Sequence, residues 1–246
     1  MLKSVFVTSY VDQEETLKSL LKESRERADF FLMIALAAFI TTAGLLLDSV
    51  VVIIGGMLVA PILFPFLGLS MGIVTSSRLA ISRSLKTALR AVGLTFLVST
   101  ATAFLLSAES SLNLVSANQP SLIFFLVSLV AGLAVSFSWV RQELSATLPG
   151  VAVAVAVLPP LCAVGIGLVM FDGSIMAGSL TLFLINLLGI VLGAMFIFSL
   201  FGFSNLQKEE EDRIKEEKVV AQVQKEAIKT AIKEDQVEEE TISGGN

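Results

Sequence analysis

The sequence predicts an all-α integral membrane protein: six transmembrane helices in two inverted three-helix repeats, with N- and C-termini cytoplasmic. Three observations carry that fold class. Of 246 residues, 54% are hydrophobic and 16% charged, with a mean hydropathy of +0.83, whereas a soluble domain carries roughly a quarter charged residues. The charges are confined to intervals between six long uncharged runs. The lysines and arginines, finally, fall only in alternate intervals.

The uncharged runs are Phe30–Leu47, Ser49–Ser77, Ala91–Ala108, Ser110–Val140, Leu144–Phe171 and Gly173–Gln207. A bilayer core of ~30 Å takes ~20 residues of helix, so each run supplies one crossing. The expected spans are Asp29–Leu47, Val50–Val74, Leu89–Leu106, Ser121–Ser138, Pro149–Met170 and Ser174–Phe203. With the N-terminus inside, all 17 basic residues fall on the cytoplasmic side, and the outer connections carry only Asp48, Glu109 and Asp172 as charges. That asymmetry is the positive-inside pattern.

The flanks divide the chain into residues 1–27, a cytoplasmic amphipathic N-terminal helix, 28–206, the membrane domain, and 207–246, an acidic tail, partly helical. Asp12 and Glu15 read as a capping box, and Leu17, Leu20, Leu21, Ser24 and Ala28 follow at helical spacing. An interfacial anchor is the expected role. Arg78 to Arg90 reads as a basic amphipathic connection that meets lipid headgroups. Beyond Gln207, seven basic residues face twelve acidic ones. The expected tail is a solvated helix, and its acidity argues against nucleic acid as a partner. No cleavable signal peptide is expected, because the first apolar run starts at Ala28 behind a charged segment.

The repeat halves are about 28–106 and 121–203. Each has a proline pair in its second span, Pro61 and Pro65 in one and Pro159 and Pro160 in the other. Setting Pro61 on Pro160 brings Gly68 onto Gly167, and the next helix of each half holds a Ser-Leu pair, Ser84-Leu85 and Ser179-Leu180. Three spans per half is an odd number, so consecutive halves must be inverted. At ~1.5 Å per residue, Pro61 lies about 18 Å from Ser49 and Pro160 about 16 Å from Pro149, close to the midplane. Proline removes a backbone donor and frees a carbonyl that hydrocarbon cannot satisfy. Two readings stand, a packing kink and a break lining a site as in many secondary transporters.

Composition narrows the chemistry. The absence of histidine from the sequence excludes a Ser-His-Asp triad and a His-based zinc site, and one cysteine, Cys162, excludes an intrachain disulfide. No GxxxxGK[ST] sequence occurs, so ATP-driven transport is not expected. No enzyme activity, cofactor or metal is expected. Gly68/Gly72 and Gly189/Gly193 form GxxxG steps, expected to pack within the chain. Polar groups within the spans are few, and Asn186, half way along span six, costs the most to leave unpaired. It is read as capping a freed carbonyl near Pro160 or as a ligand for cargo.

With these residues in view, the sequence resembles the "uncharacterised hydrophobic domain" family of bacterial and archaeal membrane proteins. Gly44–Ser49 running to Ile54–Pro61, and Leu148–Ala152 running to Leu158–Leu161, carry the resemblance, which covers about Asp29 to Phe198. Phe183–Asn186 resembles the family's Asn-bearing last span, with Ile185 where threonine is common. The resemblance implies a plasma-membrane protein of a bacterium or archaeon and names no substrate. The leading expectation is a small-solute or ion transporter, or channel-like protein, with a midplane site at Gly55, Gly56, Pro61, Pro65, Pro159, Pro160 and Asn186. The alternative is a non-transporting scaffold or signalling protein acting through its acidic tail. The expected partners are the lipid bilayer, an unidentified small solute or ion, and further copies of the chain in a homo-oligomer.

Overall fold

The computed structural model describes residues 10–24, 27–106, 121–141, 147–216, 219–220 and 222–223, and for 10–12, 22–23 and 147–156 the backbone only. Among them the helices are α1 (Tyr10–Glu23), α2 (Ala28–Leu46), α3 (Val50–Val59), α4 (Leu63–Val74), α5 (Arg78–Leu106), α6 (Leu122–Val140), α7 (Thr147–Val169) and α8 (Gly173–Leu200). A 3-10 turn at Phe203–Asn205 and a helical stretch over 207–216 follow. Strands are absent from the described residues. α2, α5, α6 and α8 are each long and apolar enough to cross a membrane, and α3 with α4 makes a fifth candidate, bent by 55°. The described side chains of α7 cover only Val157–Val169, an apolar stretch shorter than a span. The Glu109 connection lies outside the described residues.

α5 starts eleven residues earlier than expected. The Ser77 hydroxyl accepts the Ala80 amide at 3.2 Å, which caps the helix there. The basic stretch Arg78–Arg90 is therefore the first part of a 29-residue helix rather than a connection. At ~1.5 Å per residue that helix is about 43 Å long, well beyond a ~30 Å hydrocarbon core.

Three corners between helices are built alike. α2 into α3, α4 into α5 and α7 into α8 each turn through a residue with positive φ: Asp48 (53°), Ser76 (59°) and Phe171 (54°). The next amide, of Ser49, Ser77 or Asp172, donates to a glycine carbonyl five residues back, on Gly44, Gly72 or Gly167, at 2.9, 2.9 and 3.0 Å. This is the Schellman closure. Each glycine also faces the backbone of the following helix: an added Cβ would lie 2.7 Å from Ile53 N, 2.9 Å from Ile81 N or 3.0 Å from Met176 N. The corners set Gly72 opposite Gly167, an offset that also matches Ser84 with Ser179 and Pro65 with Pro160. The pairing of Pro61 with Pro160 and Gly68 with Gly167 is thereby corrected by four residues.

α8 packs along α6 and α7, α2 along α3 and α5, and α4 along α5 and α8, while α7 also touches α2, α3, α5 and α6. From Val157 to Gly167 every residue of α7 is buried, so it is the central helix of the bundle. Gly189 and Gly193 let α8 meet the α6 backbone, where an added Cβ would come within 2.9 Å of Phe125 O and 2.4 Å of Leu129 O. Close packing of small residues is the usual adhesive between apolar helices.

The N-terminal helix departs from expectation. The backbone of Asp12 lies within α1 rather than ahead of it. Instead of lying as an interfacial anchor, α1 docks beneath the bundle on α4 and α6. Leu17, Leu20 and Leu21 are buried there, the Thr16 hydroxyl donates to Trp139 O at 3.4 Å, and Gln13 Nε2 donates to Phe201 O at 2.6 Å. The start of the tail is also docked rather than solvated, since Leu206, Glu210 and Ile214 are buried. Val219, Val220 and Val223 are exposed.

Candidate functional site

The break in the second span follows from the spacing of its prolines. Pro61 lacks the amide that would bond Met57 O, and Pro65 lacks the one that would bond Pro61 O, so two successive turns lose a rung. The residue before a proline is pushed out of the helical region, and Ala60 is extended, with φ −79° and ψ 115°. Only two long, tight-turn bonds bridge the bend among the described residues: Ala60 N to Met57 O at 3.3 Å and Phe64 N to Pro61 O at 3.4 Å. The helix restarts at Leu63 with Pro65 in its first turn, where proline is tolerated.

Pro159 and Pro160 behave differently. Both lie inside α7, which continues through them. Adjacent prolines remove two rungs within one turn, and the buried segment around them is held by neighbours on every side. The expectation of an interruption in both halves is corrected here to one break and one unbroken helix.

Several of the expected site residues do come together. Gly56 rests on Thr41, where an added Cβ would lie 2.3 Å from Thr41 Oγ1, 2.8 Å from Thr41 N and 3.1 Å from Ala37 O. Cys162, two residues past Pro160, donates its thiol to the neighbouring Ala38 O at 3.9 Å. The Gly56 and Pro160 segments therefore flank α2 at Ala37–Ala38. Gly55 is half-buried with nothing within 4 Å of an added Cβ. Pro65 is buried and Pro61 and Phe64 are half-buried, and the Phe64 ring meets Trp139 edge-on at 5.6 Å.

Asn186 is elsewhere. It is 2% exposed in the α6–α8 interface, where its Oδ1 accepts the Ser128 hydroxyl at 3.0 Å. The other hydroxyls within the helices mostly turn back onto their own backbone: Thr42 to Ala38 O, Thr95 to Ala91 O, Thr102 to Val98 O and Ser136 to Gly132 O. Thr41 is the exception. Its Oγ1 is buried and has no hydrogen-bond partner among the described residues. It stands against Gly56, one turn before the bend, and nothing local in the Thr41–Thr42 pair marks which hydroxyl meets that glycine.

Among the described residues the geometry gives one broken apolar helix, a glycine contact below the break and a buried hydroxyl without a hydrogen-bond partner. Residues 57–192 match the domain of unknown function DUF389. The chain belongs to the DUF389 family. The DUF389 region opens four residues before Pro61 and closes after Asn186, so it holds the bend, α5, α6, α7 and most of α8. A protein of Methanocaldococcus jannaschii described as uncharacterized is 34% identical over 188 residues, covering 74% of this chain and 58% of that protein. The chain thus spans less than two thirds of that relative's length. No solved structure matches the chain.

Proposed function

We propose that this DUF389 chain is a six-span protein of a prokaryotic plasma membrane, with both termini cytoplasmic, that passes a small solute or ion along the broken span α3–α4. The observation that carries the reading is the 55° bend at Ala60–Pro61–Ile62 within an otherwise apolar pair of helices. In hydrocarbon, irregular backbone is tolerated only where protein or water satisfies it. Thr41, its hydroxyl without a hydrogen-bond partner among the described residues, stands one turn away on α2. Gly55 leaves open space on the same helix.

Two corners of like construction support the reading. The α4–α5 and α7–α8 corners share one construction, and each half offers its second and third spans to the other, α5 packing on α7 and α4 on α8. Inverted halves around a discontinuous helix are a common architecture for alternating access. Within this reading the site centres on Thr41, Gly55, Gly56 and Pro61, Pro65 restarts the helix, Pro159 and Pro160 form its rigid opposite wall, and Asn186 is a packing residue. No histidine is present in the sequence to serve as a base, and no catalysis is proposed.

The test is water access at the bend. In a Cys162→Ala chain reconstituted in liposomes, single cysteines at Ala60 and Leu158 are probed with a membrane-impermeant thiol reagent from each side. Labelling at Ala60 with protection at Leu158 is the expected result. Protection of Ala60 from both sides would reduce the bend to a packing feature and end the transport reading.

A further inference from the structure

The helical stretch 207–216 is fastened to the bundle through an unusual residue. Leu206, Glu210 and Ile214 recur every four positions and form its buried stripe, with Glu210 only 1% exposed. A carboxylate at the centre of an apolar stripe must be paired or neutralised. Its contact is Thr75, the residue that ends α4: Thr75 Oγ1 and Glu210 Oε2 are within hydrogen-bond distance. The same Thr75 oxygen lies 3.1 Å from Met71 O and 3.2 Å from Gly72 O.

Three acceptors thus surround a hydroxyl that has one proton to give. Met71 O and Gly72 O already accept the Thr75 and Ser77 amides at 2.9 Å each, so an ionised Glu210 has the Thr75 hydroxyl as its one hydrogen-bond donor among the described residues and keeps an uncompensated charge in the apolar stripe. If Glu210 is protonated, its O–H donates to Thr75 Oγ1, the Thr75 O–H turns back to Met71 O, and no charge is left in the apolar stripe. The surrounding charges favour the neutral acid. Glu211 lies beside it on the tail, Arg213 is engaged by Glu14 of α1 and stands 4.0 Å from Glu209, and α4 presents Thr75 and, to Gln207, the Ser76 carbonyl.

We propose that Glu210 is a proton-binding site that latches the tail helix onto the end of α4, docked when the carboxyl is protonated and released when it ionises. Because α4 is the lower half of the broken span, the latch grips the segment that restarts after Pro61. The inference stands on the tail junction alone and needs no transported solute.

Burial pushes the Glu210 carboxyl up from 4.5 to about 7; Thr75 as a donor opposes this and the charge of Glu211 adds to it. Docking is therefore strongest below the free carboxyl's value and is lost as pH rises through about 7. Full ionisation weakens it by up to roughly 300-fold.

The experiment uses the full chain in lipid nanodiscs with Cys162→Ala, Ser82→Cys and Lys215→Cys, spin-labelled at the two exposed sites. A short, narrow distance distribution at pH 5.5 that becomes broad and longer at pH 8.5 is the expected result. Glu210→Gln, which keeps the shape and a donor, should hold the narrow distribution at both pH values. A wild-type distribution identical at the two pH values would overturn the proposal. So would a Glu210→Gln distribution that shifts with pH as the wild type does.

Discussion

Adjacent glycines in α3 should respond to the same substitution with opposite signs. In Gly56→Ala the new methyl would stand 2.3 Å from Thr41 Oγ1, 2.8 Å from Thr41 N and 3.1 Å from Ala37 O. The hydroxyl can rotate away, but the amide nitrogen and the carbonyl are backbone. Against an ordinary contact near 3.5 Å, the nitrogen is about 0.7 Å too close, so α2 and α3 must move apart. Overpacking of that kind costs about 1–3 kcal/mol. In Gly55→Ala the methyl meets nothing within 4 Å, and relieving a mid-helix glycine gains roughly 0.5–1 kcal/mol. The assay is reversible unfolding of each purified variant in mixed micelles of a mild detergent and dodecyl sulfate, followed by helical circular dichroism. Equal destabilisation by the two substitutions, or a neutral Gly56→Ala, would refute the placement of α3 on α2.

Two further outcomes follow from contacts away from the bend. A double-mutant cycle with Ser128→Ala and Asn186→Leu should give a coupling of about 0.6 kcal/mol and no more than about 2, the range for hydrogen bonds between membrane helices; no coupling would mean that the two side chains do not meet. Asp172 caps α8 by accepting the Ser174 and Ile175 amides at 2.9 and 3.1 Å, and those bonds hold its carboxyl below the ordinary aspartate value. Its capping is therefore complete at neutral pH and lost only as pH falls through that lowered value. Asp172→Ala should speed hydrogen exchange at Ser174 and Ile175 at pH 7, while unchanged exchange would show that the cap contributes nothing.

What the amino-acid sequence determined by itself was the apolar helices and most of their ends. Length, apolarity and the placement of charge are local properties, and the corners at Asp48 and Asp172 fall where the charges interrupt the runs. The docking of α1 was not readable in the same way. Its leucine stripe suits a lipid interface or a protein surface equally, and only the meeting with Trp139 and Phe201 on distant helices decides between them. Glu210 was hidden for a related reason: within a run of four acidic residues, nothing local marks the one that turns inward.

The prolines give the clearest division. Pro61–Pro65 and Pro159–Pro160 carry the same missing amides, and sequence treats them as equivalent interruptions. Spacing makes one pair span two turns and the other a single turn. The surroundings then decide: α7 is enclosed from Val157 to Gly167 and stays helical, whereas α3 and α4 reach different neighbours and bend between them. A missing hydrogen bond states where a helix is weak; the packing around it determines whether it breaks.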